Sequence, residues 1–219
     1  MTRVLIALTS HSQLGDTGRS TGFYASEAAE PWSVFRKAGF DVDLVSVAGG
    51  KPPVDGVDEA DADQQQFFAE ADLEHTPTAA ELNAADYDAI FYAGGHGAMW
   101  DFPGDKALAS LAAGIYEKGG VVAAVCHGPA GLVELRLSDG SYLVDGKNVA
   151  GFTNSEENAV GLTEVVPYLL ADALTAHGAI HHPAADFTDQ VVTDGRLVTG
   201  QNPASARSTA IAVAAVLKG

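Results

Sequence analysis

Short apolar runs alternate with longer amphipathic stretches along most of the chain. The runs are rich in Val, Ile and Ala and are followed by small or polar residues, as expected of strands buried in a parallel sheet. Such strands are predicted at residues 4–8, 42–47, 89–93, 121–125 and 148–152. Two further runs, at 191–193 and 197–199, are separated by an Asp-Gly turn and predict a hairpin.

Helices are predicted between these strands, at residues 31–39, 60–72, 78–84, 106–118, 129–136, 156–176 with a break near Pro167, and 204–217. Pro31 is expected in the first turn of its helix, and Asn202 is expected to cap the last one. Residues 11–25 are polar and Gly-rich and predict a loop. Strands that alternate with helices indicate an α/β fold whose mainly parallel sheet has helices on both faces. Functional sites in such folds lie at the carboxyl ends of the strands.

The overall composition narrows the class of protein. No linker or low-complexity tract divides the 219 residues, so a single domain over 1–219 is expected. There are 12 Lys and Arg against 29 Asp and Glu, a net charge of −17, which argues against a nucleic-acid partner. No apolar run is long enough to span a membrane, and the N-terminus lacks the pattern of a signal peptide. With one cysteine and hence no internal disulfide, a cytoplasmic location is expected.

The only cysteine, Cys126, lies where a predicted buried strand ends and a predicted helix begins. A free cysteine is often no more than a small buried hydrophobe. Here Ala124 and Gly128 flank it, which matches the small-x-nucleophile-x-Gly pattern of a strained nucleophile elbow. The N-terminus of the following helix would lower the thiol pKa. These features favour Cys126 as a nucleophile, with the adjacent His127 offering a backbone N–H and an imidazole rather than a surface cap.

The sequence GGHG at residues 94–97 follows a predicted strand and would face the cysteine if the two strands are neighbours. Glycines allow the backbone to approach a ligand closely. The N–H groups of Gly95 and His127 could then form an oxyanion hole. His96 could be a site residue or a cap, and Trp100 could line a pocket or simply pack in the core.

Carboxylates are too numerous for spacing alone to choose among them. Glu27 and Glu30 precede a predicted helix at the same end of the sheet as the cysteine. Glu156 and Glu157 follow a later strand, and the pattern alone favours a solvated surface acid for each of the four. The adjacent histidines at 181–182 would point to opposite sides of a strand, which argues against a shared metal ion.

Five segments together resemble the ThiJ/PfpI superfamily, which has the class I glutamine amidotransferase-like fold. They are FRKAGFDVDLVS, YDAIFYAGGHGAMWD, AVCHGPAGL, GFTNSEENAVGL and VTDGRLVTGQNPAS, and they occur in the order of the family. Within the superfamily, the sequence is most similar to the subgroup of heat-shock chaperones and glyoxalase III proteins. The resemblance implies a flavodoxin-like sheet sandwiched between helices, and a homodimer.

The resemblance also implies roles for individual residues. Cys126 is expected as the nucleophile with His127 beside it, Glu27 against the sulfur, and Gly95 in the oxyanion hole. The third member of the triad is expected at Glu157 rather than at the preceding glutamate. Glu30 stands where some relatives carry His, which would change the polarity of the pocket. No set of His and Glu residues matches the metal site of some chaperone members, so neither a metal nor a cofactor is expected.

The function implied by the resemblance is a glyoxalase III, a lyase that converts methylglyoxal or glyoxal without glutathione. Methylglyoxal would become D-lactate through a Cys126 hemithioacetal. Three alternatives use the same residues: a protein deglycase, a small amidase or peptidase, and a non-enzymatic stress chaperone or redox sensor. The sequence does not separate them, because a nucleophile elbow is common to all.

Overall fold

The computed structural model describes residues 1–219 of the chain. Its ten strands, in chain order, are β1 (Arg3–Leu8), β2 (Phe23–Tyr24), β3 (Asp41–Ser46), β4 (Val54–Asp55), β5 (Ala89–Tyr92), β6 (Val121–Val125), β7 (Asn148–Val149), β8 (Ile180–His181), β9 (Val191–Asp194) and β10 (Leu197–Gly200). The strand at 121–125 and the Asp-Gly hairpin are confirmed, while the strand predicted at 148–152 ends after two residues. The short strands β2 and β4 were not predicted.

Six strands form the central sheet in the order β3-β1-β5-β6-β10-β9. All neighbouring strands are parallel except β9, which runs antiparallel to β10. The order of the parallel strands is that of flavodoxin-like folds, so the predicted fold class is confirmed. Strands β5 and β6 are neighbours and are buried at every position, as the continuous apolar runs predicted.

Eight α-helices cover the sheet: α1 (Ala25–Lys37), α2 (Ala62–Glu70), α3 (Ala98–Asp101), α4 (Lys106–Glu117), α5 (Ala130–Val133), α6 (Asn154–Ala159), α7 (Leu170–Ala176) and α8 (Ala206–Lys218). Helices α1 and α8 pack against each other and against the sheet, whereas α4 packs on β5 and β6 and also contacts α5. The sheet therefore lies between two helical layers, and a cluster of 53 buried residues fills the space between them. None of the helices combines the length and the apolar character that a membrane span requires.

Helix α1 begins six residues earlier than predicted, so that Pro31 lies inside it rather than in its first turn. A proline inside a helix removes one backbone hydrogen bond. Ala28, Trp32 and Phe35 are nevertheless buried on the inner face of the helix, and this packing outweighs the local cost. As a result Glu27 lies in the first turn of α1 instead of in the loop before it.

Two other helix predictions are corrected by the structure. Helix α5 has only four residues, whereas a helix over 129–136 was predicted. The last helix begins at Ala206 after a short 3-10 turn at Pro203–Ser205. The side chain of Asn202 does not cap it, because that amide donates hydrogen bonds to Glu156 Oε1 and to the Thr188 carbonyl, each at 2.8 Å.

Candidate active site

Cys126 lies directly after β6 and has a left-handed backbone, with φ of 60°. Its N–H donates to the Gly200 carbonyl at 3.0 Å, and its carbonyl accepts from the Phe152 N–H at 2.9 Å, so the strained residue is held from both sides. A Cβ at Gly128 would lie 2.2 Å from the Tyr92 carbonyl oxygen. The strained, crowded turn predicted for a nucleophile elbow is therefore present.

The N–H groups of the following helix are not directed at the sulfur, contrary to the prediction. The Gly128 N–H donates to Val125 O at 2.7 Å, and the Ala130 N–H donates to His127 O at 3.0 Å. Instead, the backbone N–H groups of His127 and Gly95 lie against the sulfur and act to lower its pKa. These are the two donors that the sequence suggested for an oxyanion hole.

The glycines of the turn after β5 fit their places for different reasons. Gly95 has φ of 101°, a left-handed conformation that glycine adopts without strain. Gly94 has no such φ but lacks space, because a Cβ there would lie 2.2 Å from Glu27 Oε2 and 2.9 Å from Cys126 Cβ. The close approach of this backbone to Cys126 and Glu27 therefore requires glycine at both positions.

A hydrogen-bonded chain runs from the cysteine through His127 to Glu157. His127 Nδ1 lies 3.4 Å from Cys126 Sγ, and His127 Nε2 lies 2.8 Å from Glu157 Oε2. A carboxylate only accepts, so Nε2 carries the proton and Nδ1 presents its lone pair to the thiol. His96 Nε2 lies 2.9 Å from Glu157 Oε1, so both histidines donate to one carboxylate.

The pKa values in this chain follow from burial and hydrogen bonding. Burial lowers the pKa of His127 to about 4, with the neighbouring His96 adding to the shift and Glu157 opposing it. Burial alone would raise the pKa of Glu157, but the hydrogen bonds from His127 and His96 outweigh it and lower that pKa to about 2. At neutral pH the pair is thus a neutral imidazole held by an ionised carboxylate.

Glu27 lies next to the Cys126 sulfur and is brought there by the first turn of α1. Its side chain is fully buried, and neither carboxyl oxygen has a hydrogen-bond partner of ordinary geometry. Burial raises the pKa of Glu27 to about 8, although the Cys126 thiol and the Gly94 backbone lie close enough to oppose part of the shift. Glu27 therefore holds a proton at neutral pH.

The Cys126 thiol is 3% exposed, and burial raises its pKa, as does the charge of Glu27 when that group is ionised. Because Glu27 is protonated at neutral pH, this repulsion is absent there. A protonated carboxyl can donate a hydrogen bond to a thiolate and so favour it. At rest both groups are protonated, and Glu27 can stabilise the thiolate once His127 Nδ1 has taken the thiol proton.

The other sequence candidates lie around this centre. Glu30 faces Arg207 of α8, with 3.8 Å between Oε1 and a guanidinium nitrogen, and not the sulfur. Trp100 stacks on His11 with 5.0 Å between the ring centroids, beside the turn that carries His96. Glu156 is buried in a separate hydrogen-bond network and does not contact His127.

His96, His127 and Glu157 are also a set that could hold a metal ion, since their ligand atoms lie within 4.8 Å of one another. The sequence did not suggest this set, because the three residues are far apart in the chain. Each histidine Nε2 already donates to the Glu157 carboxylate, so an ion there would displace both hydrogen bonds. The expectation that no metal is required stays a prediction.

Two aromatic residues that the sequence did not single out form a row of rings with His127. The Phe152 ring lies 4.3 Å from the His127 ring, and the Phe187 ring lies 6.3 Å from Phe152 in an edge contact. Phe187 has a left-handed backbone with φ of 55°, and no sequence pattern predicts this conformation. Phe152 could have been found, since it begins the FTNSEE segment that carries Glu157.

The DJ-1/PfpI family model matches residues 20–215, which is most of the chain. The protein therefore belongs to the DJ-1/PfpI family, as the five sequence segments indicated.

Two curated relatives from yeasts match over nearly the whole chain. The glutathione-independent glyoxalase HSP31 of Saccharomyces cerevisiae is 39% identical over 227 residues, with 95% of each chain covered. Glyoxalase 3 of Candida albicans is 36% identical over 228 residues, with 96% of each covered.

Solved structures are similar to the same extent. The crystal structure of glyoxalase III from Candida albicans superposes with a TM-score of 0.91 at 35% identity, covering 98% of this chain and 97% of that one. The Rapid Encystment Protein 24 KDa of Francisella tularensis superposes with a TM-score of 0.95 at 37% identity, covering 99% of each.

Proposed function

We propose that this protein is a glutathione-independent glyoxalase, a lyase that converts methylglyoxal to D-lactate through a covalent adduct on Cys126. The observation that carries the proposal is the buried cysteine between a neutral histidine, 3.4 Å from the sulfur, and a protonated glutamate. The relatives named glutathione-independent glyoxalase and glyoxalase 3 support the same reaction. Glutathione is unnecessary because Cys126 supplies the thiol.

In the first step His127 Nδ1 takes the thiol proton, and the sulfur attacks the aldehyde carbon. The carbonyl electron pair moves to the oxygen, which lies next to the sulfur and therefore near the N–H groups of Gly95 and His127. His127 returns the proton to this oxygen. The product of the step is a neutral hemithioacetal, and His127 is again free to act as a base.

In the second step a proton moves from the former aldehyde carbon to the neighbouring carbon through an enediol. His127 is neutral at rest and removes the carbon-bound proton, while Glu27 is protonated at rest and gives its proton to the ketone oxygen. His127 then protonates the second carbon, and Glu27 takes the remaining hydroxyl proton. Both groups regain their starting states, and the adduct is now a thioester of lactate.

In the last step water adds to the thioester carbonyl, the C–S bond breaks, and the sulfur regains its proton. The sum is one methylglyoxal plus one water giving one lactic acid, with no net oxidation or reduction. Glu157 acts through His127, because its ionised carboxylate fixes the tautomer that presents Nδ1 to the sulfur.

The test is to give the purified protein methylglyoxal in the absence of glutathione and to measure D-lactate by chiral detection. We expect D-lactate to form at a rate that added glutathione does not change. A requirement for glutathione, or consumption of methylglyoxal without lactate, would contradict the proposal.

The same assay separates the deglycase alternative, if glycated amino acids replace free methylglyoxal. We expect lactate to appear from the glycated amino acid no faster than the adduct releases methylglyoxal by itself. Release that is accelerated by the protein would favour a deglycase instead.

A further inference from the structure

Glu156 is buried and ionised, and the mechanism above does not use it. Its Oε2 accepts from the N–H and the hydroxyl of Thr153, each at 2.9 Å, which caps helix α6. Its Oε1 accepts from the Phe187 N–H at 2.8 Å, from Gln201 Nε2 at 3.1 Å and from Asn202 Nδ2 at 2.8 Å. Burial alone would raise the pKa of Glu156, but these donors lower it. The carboxylate thus ties α6, which carries the triad glutamate, to the loop around Phe187.

Phe187 is held in a conformation that phenylalanine rarely adopts. Its φ of 55° is in the left-handed region, which is a real outlier for a bulky side chain. Besides the hydrogen bond from its N–H to Glu156, the loop is fixed by Asp186, whose Oδ2 accepts from the Ser155 hydroxyl at 2.8 Å. The strain is therefore imposed by the surroundings, as is common near functional sites.

Burial of the ring does not offset the strain of the Phe187 backbone, because Phe187 is 47% exposed. Its aromatic neighbour is Phe152, with 6.3 Å between the ring centroids. Phe152 in turn lies 4.3 Å from the His127 ring. A row of rings therefore leads from the proposed base, His127, to an aromatic side chain in contact with solvent.

We propose that Phe187 is a specificity-determining residue whose ring forms the outer wall of the site beside His127 and favours aldehydes with an apolar non-reacting end. Glu156 is the positioning residue that holds this ring in place. The inference rests on the proposed function for its substrate class, 2-oxoaldehydes. An aromatic face binds an apolar or aromatic group but gains nothing from a single hydrogen atom at the same place. Discrimination among aldehydes should therefore grow with the size of the group at their non-reacting end.

The first experiment compares wild type with Phe187→Asn, since asparagine tolerates the left-handed backbone and removes the ring. The kcat/KM values for phenylglyoxal, methylglyoxal and glyoxal are measured together. We expect the ratio of phenylglyoxal to glyoxal to fall about three- to tenfold, mainly through a higher KM for phenylglyoxal, while the unfolding temperature is kept or raised. Ile211→Ala, which removes another exposed apolar side chain on α8, should leave the ratio unchanged. An unchanged ratio in Phe187→Asn would overturn the proposal.

Glu156→Gln tests the positioning role, because it keeps the shape of the side chain but places an NH₂ against some of the donors. We expect the same fall in the substrate ratio, and no further fall when Glu156→Gln is combined with Phe187→Asn. Additive effects of the two substitutions on the ratio would show that Glu156 acts independently of the ring, and an unchanged ratio in Glu156→Gln would show that it only stabilises the fold; either result would overturn its positioning role.

A readout independent of turnover uses the fact that Cys126 is the only cysteine. Its alkylation by N-benzyliodoacetamide and by iodoacetamide is followed by mass, and the ratio of the two rates reports on an aromatic group entering the site. We expect this ratio also to fall in Phe187→Asn. If wild type makes no lactate but the alkylation ratio falls in Phe187→Asn, the proposed function is wrong, whereas the role of the Phe187 ring as a wall of the site is supported. If neither reagent reaches Cys126, or the ratio is unchanged, the proposal is wrong.

Discussion

At the scale of single residues, the unusual feature is a fully buried carboxyl group beside the sulfur. Neither carboxyl oxygen of Glu27 has a hydrogen-bond partner of ordinary geometry, and burial raises its pKa to about 8 although the Cys126 thiol and the Gly94 backbone oppose part of the shift. A cysteine beside an ionised carboxylate would be a poor nucleophile, whereas one beside a protonated carboxyl has a proton donor at hand. The difference in environment between Glu27 and Glu157, with a pKa of about 2, separates the proposed acid from the residue that orients the base.

Glu27 should make the stability of the protein depend on pH. The folded state keeps a proton that the unfolded chain releases above about pH 4.5, so this group lowers the free energy of unfolding as pH rises from about 4.5 to about 8. Glu156 and Glu157 have lowered pKa values and therefore have the opposite effect: the free energy of unfolding that they contribute is lost as pH falls below about 4.5. His127, whose pKa is lowered from 6.5 to about 4, likewise acts against Glu27 and makes stability rise with pH up to about 6.5. The decline due to Glu27 is therefore unopposed by His127 between about pH 6.5 and about pH 8, and we expect Glu27→Gln to flatten it there, as measured by the unfolding temperature.

The matched control for this prediction is Glu59→Gln, which removes a carboxylate from an exposed position. Its curve of unfolding temperature against pH should run parallel to that of wild type. Parallel curves for wild type and Glu27→Gln would mean that Glu27 is ionised at neutral pH, and the proposed acid would be lost with it.

At the scale of elements, two turns meet at the carboxyl ends of β5 and β6. The adjacent, parallel strands bring the turn at 94–97 against Cys126, and the first turn of α1 brings Glu27 into the same space. Because the backbone after β5 touches both functional side chains, its fit depends on the absence of one carbon atom at Gly94.

Gly94→Ala should therefore damage both stability and activity. The new Cβ would lie 2.2 Å from Glu27 Oε2 and 2.6 Å from the Val125 carbonyl, so the strand end or the carboxyl must move. We expect a loss of about 1–3 kcal/mol in the free energy of unfolding, typical of overpacking, and a clear loss of lactate formation. Chemical denaturation and the lactate assay measure the two effects.

Gly104→Ala is the control for the same chemical change, because a Cβ there meets nothing within 4 Å and no unusual φ is required. Its stability should stay within about 0.5 kcal/mol of wild type. Equal effects of the two substitutions would show that the space at Gly94 is not limiting.

At the scale of the whole molecule, the sequence predicts strands and helices correctly where the pattern of apolar residues is local and repeated. Strand β6 was predicted at its observed bounds because five apolar residues in a row are typical of a strand covered on both faces. The strand order then follows from fold class, and it brings Cys126, Gly95 and His127 together as expected. The homodimer and the catalytic roles of the site residues stay predictions.

The sequence was a poor guide wherever the deciding contact is distant in the chain. Helix α1 runs through Pro31 because its inner face packs on the sheet, which the local rule for proline cannot include. The local pattern predicts Asn202 as a helix cap, but its side chain donates to Glu156, which lies 46 residues away. The left-handed Phe187 is imposed by hydrogen bonds from its surroundings and has no signature of its own.

The central claim is that Cys126 is the nucleophile of a glutathione-independent glyoxalase. It is tested most directly by the rate of D-lactate formation from methylglyoxal by wild type and by Cys126→Ala, with the folded state of both checked by their unfolding transitions. We expect wild type to form D-lactate without glutathione and the folded Cys126→Ala variant to form none above the uncatalysed background, because no other cysteine can replace the thiol. D-lactate formation by Cys126→Ala at the rate of wild type would contradict the account.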